Sequence, residues 1–169
     1  DFARECSFYT GGFPAKYGDK LSSVMDIRFR DGNKDRWHAD IYSGFAGFGA
    51  MVEGPLFSQK GSWMASARRS YLDLLVDVLP SSLSVTAIPN YSIFQAKITY
   101  DLSNTDTIDL IGIGGSDKMK IKSTDDDISR RFDTLDYNNY QYTLGLKWQR
   151  LFSQKGYSTI ILSRSSYRY

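Results

Sequence analysis

The sequence predicts an all-β fold in which antiparallel strands follow one another as a meander, with one apolar and one wet face. Three observations support this prediction: apolar and polar residues alternate with a period of two, aromatic residues are abundant, and short turns alternate with longer segments. Aromatic residues make up 15% of the 169 residues, although the mean hydropathy is −0.38. This combination is typical of strands that are apolar on one side only. It suits a soluble sandwich or lipocalin-like barrel equally well.

The clearest predicted strand runs from Asn139 to Phe152. Its apolar residues all fall on one face: Tyr140, Tyr142, Leu144, Leu146 and Trp148. No amphipathic helix produces such a period. A tyrosine at one end and a tryptophan at the other match the aromatic girdles of membrane barrels. A sandwich strand with a filled core face is the alternative.

Further strands are predicted wherever the same alternation recurs. They cover residues 62–71, 91–102, 107–115 and 157–169. Lys97 and Asp101 would be costly to bury, so one face of the second of these strands must be wet. The segment from Trp37 to Phe57 is too long for one crossing of a membrane, since it would reach about 70 Å. We therefore divide it into two strands around residues 45–47, which gives about seven strands.

The connections between the predicted strands alternate in length. Short polar turns are expected at residues 58–61, 103–106 and 153–156, and longer segments at 72–90 and 118–138. This rhythm is typical of an outer-membrane barrel, with periplasmic turns and extracellular loops. In the first long segment, Leu72–Leu79 has apolar residues at helical spacing and is expected to form a short helix or a packed loop.

Several function classes lack their characteristic residues. The 21 Lys and Arg are interspersed with the 19 Asp and Glu, so no basic stripe predicts a nucleic-acid partner. Cys6 is the single cysteine and His38 the single histidine, and we expect Cys6 to be a buried apolar residue. The acidic run 125–127 lacks EF-hand spacing and is expected to be a solvated loop tip. No nucleophile elbow or phosphate-binding loop is present. We therefore expect no enzyme, no cofactor and no metal site.

Both ends of the chain read as the middle of a strand, at residues 2–9 and 166–169. No run of about 20 apolar residues predicts a membrane-spanning helix, and no signal peptide precedes the first strand. We therefore expect the chain to be a fragment of a longer exported protein.

A longer motif lies ahead of the predicted sheet, where residues 8–33 read FYTGGFPAKYGDKLSSVMDIRFRDGN. This segment resembles the end of the plug domain of TonB-dependent outer-membrane receptors, especially the branch common in Bacteroidota. The matching positions are Gly11, Gly12, Phe13, Pro14, Ala15, Tyr17, Gly18, Leu21, Ser22, Ser23, Val24, Asp26 and Ile27. Residues 53–56 (EGPL) and 66–73 (SARRSYLD) resemble runs in the early strands of the same family.

The residues of this motif also suggest a local structure by themselves. Gly11 and Gly12 permit a sharp reversal, Pro14 stops strand pairing, and Gly18 allows a positive φ. A strand is then expected from Val24 to Arg30. Together they predict a small kinked hairpin that leads into a larger sheet.

The resemblance implies a domain division, a location and a function. Residues 1–33 would be the C-terminal end of a plug, and residues 34–169 the first strands of a transmembrane β-barrel of about 22 strands. The protein would lie in the outer membrane of a Gram-negative bacterium. It would take up a scarce nutrient, such as a ferric siderophore, cobalamin, an oligosaccharide or a peptide. A passive porin and a soluble β-sandwich binding module are the alternatives.

The same resemblance implies partners. TonB and its inner-membrane motor would engage a TonB box that we expect upstream of this chain. Outer-membrane lipids would surround the barrel, and a surface lipoprotein is a candidate lid. The ligand-binding residues cannot be named from this sequence.

Two neighbouring arginines offer a candidate contact between plug and barrel. Arg68 and Arg69 are adjacent, so on a strand their side chains face opposite ways. We expect one to point into the lumen, and we hypothesise a salt bridge between Arg68 and Asp26. A solvated arginine near the membrane edge is the alternative.

Overall fold

The computed structural model describes residues 2–19, 21–44, 47–57, 59–71, 87–121, 135–153 and 155–169. These residues form antiparallel strands in two sheets. The chain divides into two compact units, Asp1–Asp31 and Gly32–Tyr169. In the described ranges, no helix has the length and apolarity that a membrane crossing needs. The prediction of an all-β antiparallel fold is confirmed for these residues.

The first unit is a two-stranded sheet. Strand β1 (Ala3–Thr10) pairs with strand β2 (Ser23–Phe29). Phe2 is buried and meets the Phe29 ring edge-on at 5.5 Å. The expectation that Cys6 is buried is wrong, because its side chain is exposed. A single pair of strands has no second layer to cover both of its faces.

The second unit is a seven-stranded antiparallel meander in which every strand pairs with the next. Its strands are β3 (His38–Gly44), β4 (Gly47–Leu56), β5 (Gly61–Ser70), β6 (Ala87–Asp101), β7 (Asp106–Ile121), β8 (Leu135–Ser153) and β9 (Gly156–Arg168). Strands β3 and β9 are its edges. The predicted number of seven strands is confirmed. So is the division of 37–57, since Gly44 pairs directly with Gly47.

Short connections join β4 to β5, β6 to β7 and β8 to β9 at the predicted positions. Ser58 and Gln154 within them lie outside the described residues. In the second turn, Ser103 Oγ accepts hydrogen bonds from the backbone amides of Thr105 at 3.1 Å and Asp106 at 3.0 Å. A serine that caps its own turn in this way explains why so few residues suffice for the reversal.

The predicted long loops are too long, because three strands extend into them. Strand β6 starts at Ala87, β7 runs on to Ile121, and β8 starts at Leu135. Pairing requires only backbone groups, so it continues where the sequence no longer keeps the phase of alternation of the strand centre. The expected helix at 72–79 and the acidic run 125–127 lie outside the described residues.

The register of the second unit separates its side chains into two faces. No register shift interrupts the ladders from β3 to β8, so alternation on one strand carries over to its neighbours. We call the side of the sheet that carries Ala65 and its cross-strand partners the apolar face. The side that carries Met64 and its cross-strand partners is the polar face. Among the residues of this unit whose burial is described, the large buried apolar side chains are Met51 and Met64, and both lie on the polar face. The unit therefore exposes its apolar side, the reverse of a soluble sheet.

Candidate membrane-facing surface and polar face

The apolar face of the second unit is broad and exposed. On it, Phe94 is 62% exposed and Leu144 is 53% exposed. Its other large exposed side chains are Trp37, Ile41, Phe48, Ile98, Leu110, Tyr140, Tyr142, Leu146, Trp148, Ile160 and Leu162. A continuous apolar surface of this extent marks an interaction site in a folded protein.

Aromatic residues mark the two ends of the apolar face. Near one end, Trp37 meets Trp63 edge-on at 5.3 Å, and Trp148 donates from Nε1 to Asp106 Oδ1 at 3.2 Å. At the other end lies Tyr140. The nine residues from Tyr140 to Trp148 span about 27 Å along the strand. Each Trp thus has an apolar ring near a polar boundary, the position that Trp favours at membrane interfaces.

An open groove of about 550 Å³ lies in the middle of the apolar face. Its floor consists of small residues on β4 to β7, including Ala65, Ala96, Gly112 and Gly114, and Phe94, Tyr142 and Leu144 also line it. A Cβ added at Gly114 would meet nothing closer than 3.7 Å. The missing side chains therefore create open space on the surface.

The polar face holds a buried charge cluster. Asp109 is 7% exposed and Lys97 is 6% exposed. The two Asp109 carboxylate oxygens have separate partners: Thr99 Oγ1 donates to Oδ1 at 2.8 Å, and Lys147 Nζ lies 3.2 Å from Oδ2. Lys97 Nζ lies 3.9 Å from Oδ1. We call Lys97, Thr99, Asp109 and Lys147 the Asp109 cluster; it joins strands β6, β7 and β8 through their side chains.

A short segment at the start of the second unit lies over the ends of β4, β5 and β6. We call residues 32–36 the strap. The amide of Asn33 donates to Glu53 Oε2 on β4 at 3.1 Å, and Lys34 Nζ lies 2.5 Å from Asp101 Oδ2 on β6. A Cβ at Gly32 would stand 2.5 Å from the carbonyl oxygen of Trp63 on β5. The strap therefore fits closely against the backbone of the sheet.

In the first unit, the motif residues Tyr17 and Asp26 are brought together. The Tyr17 hydroxyl donates to Asp26 Oδ2, and Lys16 Nζ lies 3.6 Å from the same oxygen. The hydrogen bond from Tyr17 lowers the pKa of the Asp26 carboxyl, with Lys16 and Arg28 acting in the same direction. The same bond raises the pKa of Tyr17. Tyr17 and Asp26 are nine residues apart in the sequence, and this hydrogen bond gives a structural reason for both motif positions.

Most of the other motif residues lie in the connection between β1 and β2, and Ser23, Val24 and Ile27 lie on β2. Gly11 has a φ of +76°, as a sharp reversal requires. The amide of Tyr17 donates to the carbonyl of Pro14 at 3.0 Å. The positive φ expected at Gly18 occurs instead at Asp19, with a value of 57°, since an aspartate also tolerates this region. Of the remaining motif residues, Val24 is buried and Phe13 is half-buried. The others are exposed, Leu21 fully: Gly12, Ala15, Gly18, Leu21, Ser22, Ser23 and Ile27.

Arg68 and His38 both have partners within the second unit. The Arg68 guanidinium lies over the Tyr42 ring, 5.9 Å from its centre. His38 Nε2 lies 3.1 Å from Asp40 Oδ2. Arg68 is on the polar face, and Arg69 is on the apolar face. The hypothesised salt bridge of Arg68 with Asp26 joins the two units and stays a prediction.

Sequence reasoning did not find the strap contacts or the Asp109 cluster. Alternation predicted that Lys97 lies on a wet face. Only the register shows that Asp109 on β7 pairs with Lys147 on β8, and that both lie one position along the same face from Lys97. The turn at 103–106 could have supplied the β6–β7 part of that register, because tight turns fix which residues pair. The β7–β8 part, which pairs Asp109 with Lys147, has no predicted tight turn to fix it.

Comparison of the chain with protein-family models, with curated proteins and with solved structures found no match.

Proposed function

We propose that this chain is part of a TonB-dependent outer-membrane receptor for the energised uptake of a scarce nutrient. In this proposal, the first unit is the end of the plug and the second unit is a section of the barrel wall. The observation that carries the proposal is the exposed apolar face of a seven-stranded meander whose opposite face holds buried charges.

The dimensions of the apolar face support a place in a membrane. The band between Tyr140 and Trp148 measures about 27 Å along the strand, and strands in such barrels tilt by about 40°, which leaves about 21 Å along the normal. Apolar bands of outer-membrane barrels are about 25 Å tall. Tryptophan near one end and tyrosine at the other agree with interfacial girdles.

The polar face supports a wall that encloses a polar lumen. The Asp109 cluster and the strap place buried charges and hydrogen bonds on this side of the sheet. Barrel interiors of transport proteins are polar, whereas the inner face of a soluble sandwich is a packed apolar core. The described residues of Gly32–Tyr169 provide no second layer over the apolar face.

The resemblance of residues 8–33 to a plug end supports a receptor over a porin. A passive porin has no use for such a segment directly ahead of its first strand. The substrate class stays open among ferric siderophores, cobalamin, oligosaccharides and peptides.

Brominated lipids would test the membrane proposal, because Trp37, Trp63 and Trp148 all lie near the same end of the apolar face. The chain would be folded into bilayers of phosphatidylcholine with bromines either near the headgroup or deep in the acyl chains. We expect fluorescence quenching, stronger with the shallow bromines. Trp148→Phe should lower the signal and keep the same depth preference. A chain that stays monodisperse without detergent and is not quenched by either lipid would defeat the proposal.

A second measurement separates a receptor from a porin. In cells that make the whole protein, uptake through a receptor should stop when a protonophore collapses the inner-membrane proton gradient. Diffusion through a passive barrel would continue.

A further inference from the structure

We infer that the apolar face carries a specific site for a lipid with a phosphomonoester headgroup, at the end marked by Arg69 and Lys118. This inference rests on the proposed function, because it requires the apolar face to lie against a lipid leaflet. It adds a particular ligand chemistry and a particular end of the sheet.

The first observation is a polar row directly beside the groove. Five cross-strand partners form this row on β5 to β9: Arg69, Ser92, Ser116, Tyr140 and Arg168. Lys118 follows one position further along the same face of β7. Cations with hydroxyl groups between them are a donor set that suits phosphate oxygens.

The second observation is an asymmetry of charge between the two ends of the face. At the opposite end, Arg150 Nε lies 3.8 Å from Asp106 Oδ1. At the row, no carboxylate among the described residues forms an ion pair with Arg69, Lys118 or Arg168, and all three side chains are exposed. Among the side chains that the structure describes, one end of the apolar face therefore carries three cations outside ion pairs, and the opposite end carries an ion pair.

The third observation is the position of the groove relative to the row. Directly next to Ser92 and Ser116 come Phe94 and Gly114, and then Ala96 and Gly112. A headgroup phosphate at the row thus places the first carbons of its acyl chain on the small-residue floor of the groove. This continuity of cation, hydroxyl and apolar cleft favours an anionic lipid over a second copy of the chain, whose own row would bring like charges together.

Binding of individual lipids to the detergent-folded chain, measured by native mass spectrometry, tests this site. The probes are dioleoylphosphatidic acid, dioleoylphosphatidylcholine and water-soluble glycerol 3-phosphate. We expect the phosphatidic acid to bind at least about fivefold more tightly than the phosphatidylcholine. Each cation near the surface should contribute about a factor of five, so Arg69→Gln and Lys118→Gln should each weaken binding by about that factor.

Two further variants define the geometry. Arg150→Gln removes a cation from the opposite end and should leave phosphatidic acid binding unchanged. Gly114→Val fills the groove without touching a charge, in a position where a Cβ has room, and β-branched residues suit strands. It should weaken binding of phosphatidic acid several-fold and leave the fold intact.

Four outcomes would overturn the inference. Equal affinity for the two lipids would do so while the membrane proposal stands. Displacement of the lipid by glycerol 3-phosphate at equal concentration would show a site for free phosphate. Dimerisation that Gly114→Val abolishes would show that a second copy occupies the groove. A whole protein carrying this chain that enters neither micelles nor bilayers would remove both the inference and the proposed function.

Discussion

Removal of the Asp109 carboxylate should be among the most destabilising single changes in the sheet. Asp109→Asn leaves the buried Lys97 and the nearby Lys147 facing each other without the anion between them. Breaking a buried pair by removing one partner costs about 3–5 kcal/mol. We expect the free energy of unfolding to fall by about 3 kcal/mol, because Thr99 can still donate to the amide oxygen.

The two lysines should differ in their coupling to Asp109, and burial rather than distance should decide which is stronger. At an effective dielectric constant of about 20, the separations give about 4 kcal/mol for Lys97 and about 5 kcal/mol for Lys147 before desolvation. The Lys97 side chain is 7% exposed, whereas that of Lys147 is 36% exposed. Screening by water should reduce the Lys147 coupling to about 1 kcal/mol or less. We expect about 2 kcal/mol for Lys97.

Double-mutant cycles would measure these couplings. The set comprises Lys97→Met, Lys147→Met and Asp109→Asn, alone and in pairs, with unfolding by urea in detergent micelles followed by tryptophan fluorescence. An unchanged m-value would show that the same amount of surface unfolds in each variant. A coupling at Lys147 equal to or above that at Lys97 would refute the role of burial. A loss below about 1 kcal/mol for Asp109→Asn would refute the importance of the cluster.

Two further predictions concern the first unit and the strap. Tyr17→Phe removes the hydrogen bond that lowers the pKa of Asp26, so that pKa should rise toward its ordinary value in a carboxyl NMR titration. Because folding lowers the pKa of Asp26, the stabilisation from this hydrogen bond is present above the unfolded pKa and is lost as the pH falls through the folded pKa. Wild type and variant should therefore differ in the amide protection of β2 at neutral pH and converge in acid. A difference in protection that does not change with pH would contradict this origin. Gly32→Ala should destabilise the second unit by about 1–3 kcal/mol, because the new Cβ would overlap the backbone of Trp63. Gly145→Ala, which has open space around its Cβ, should change the urea midpoint little, and equal effects of the two substitutions would rule out the close fit of the strap.

The strands of the second unit were predictable because their pattern is short-range and repeated. Alternation from Tyr140 to Trp148 identifies a strand without any knowledge of its neighbours, and the glycines near residue 45 divide a segment that is too long. Strand ends were less predictable. Residues 118–121 (KMKI) no longer follow the phase of alternation at the centre of β7, although the backbones still pair.

The candidate site was less predictable because its parts are distant in sequence. Lys34 reaches Asp101, and Lys147 reaches Asp109, through contacts that depend on register and on the path of the strap. The prediction that Cys6 is buried was wrong for another reason. General burial preference describes residues in a layered core, and a two-stranded sheet does not provide one.

The odd number of strands in the meander has a topological consequence. Antiparallel neighbours alternate in direction, so β3 and β9, the first and seventh strands, run the same way. They cannot join each other in an all-antiparallel ring, because such a ring needs an even number of strands. In the proposed barrel, both edges would need strand partners, because lipid offers no hydrogen bonds to an open sheet edge. Closure into a cylinder would then require an odd number of additional strands, the first running opposite to β9 and the last opposite to β3.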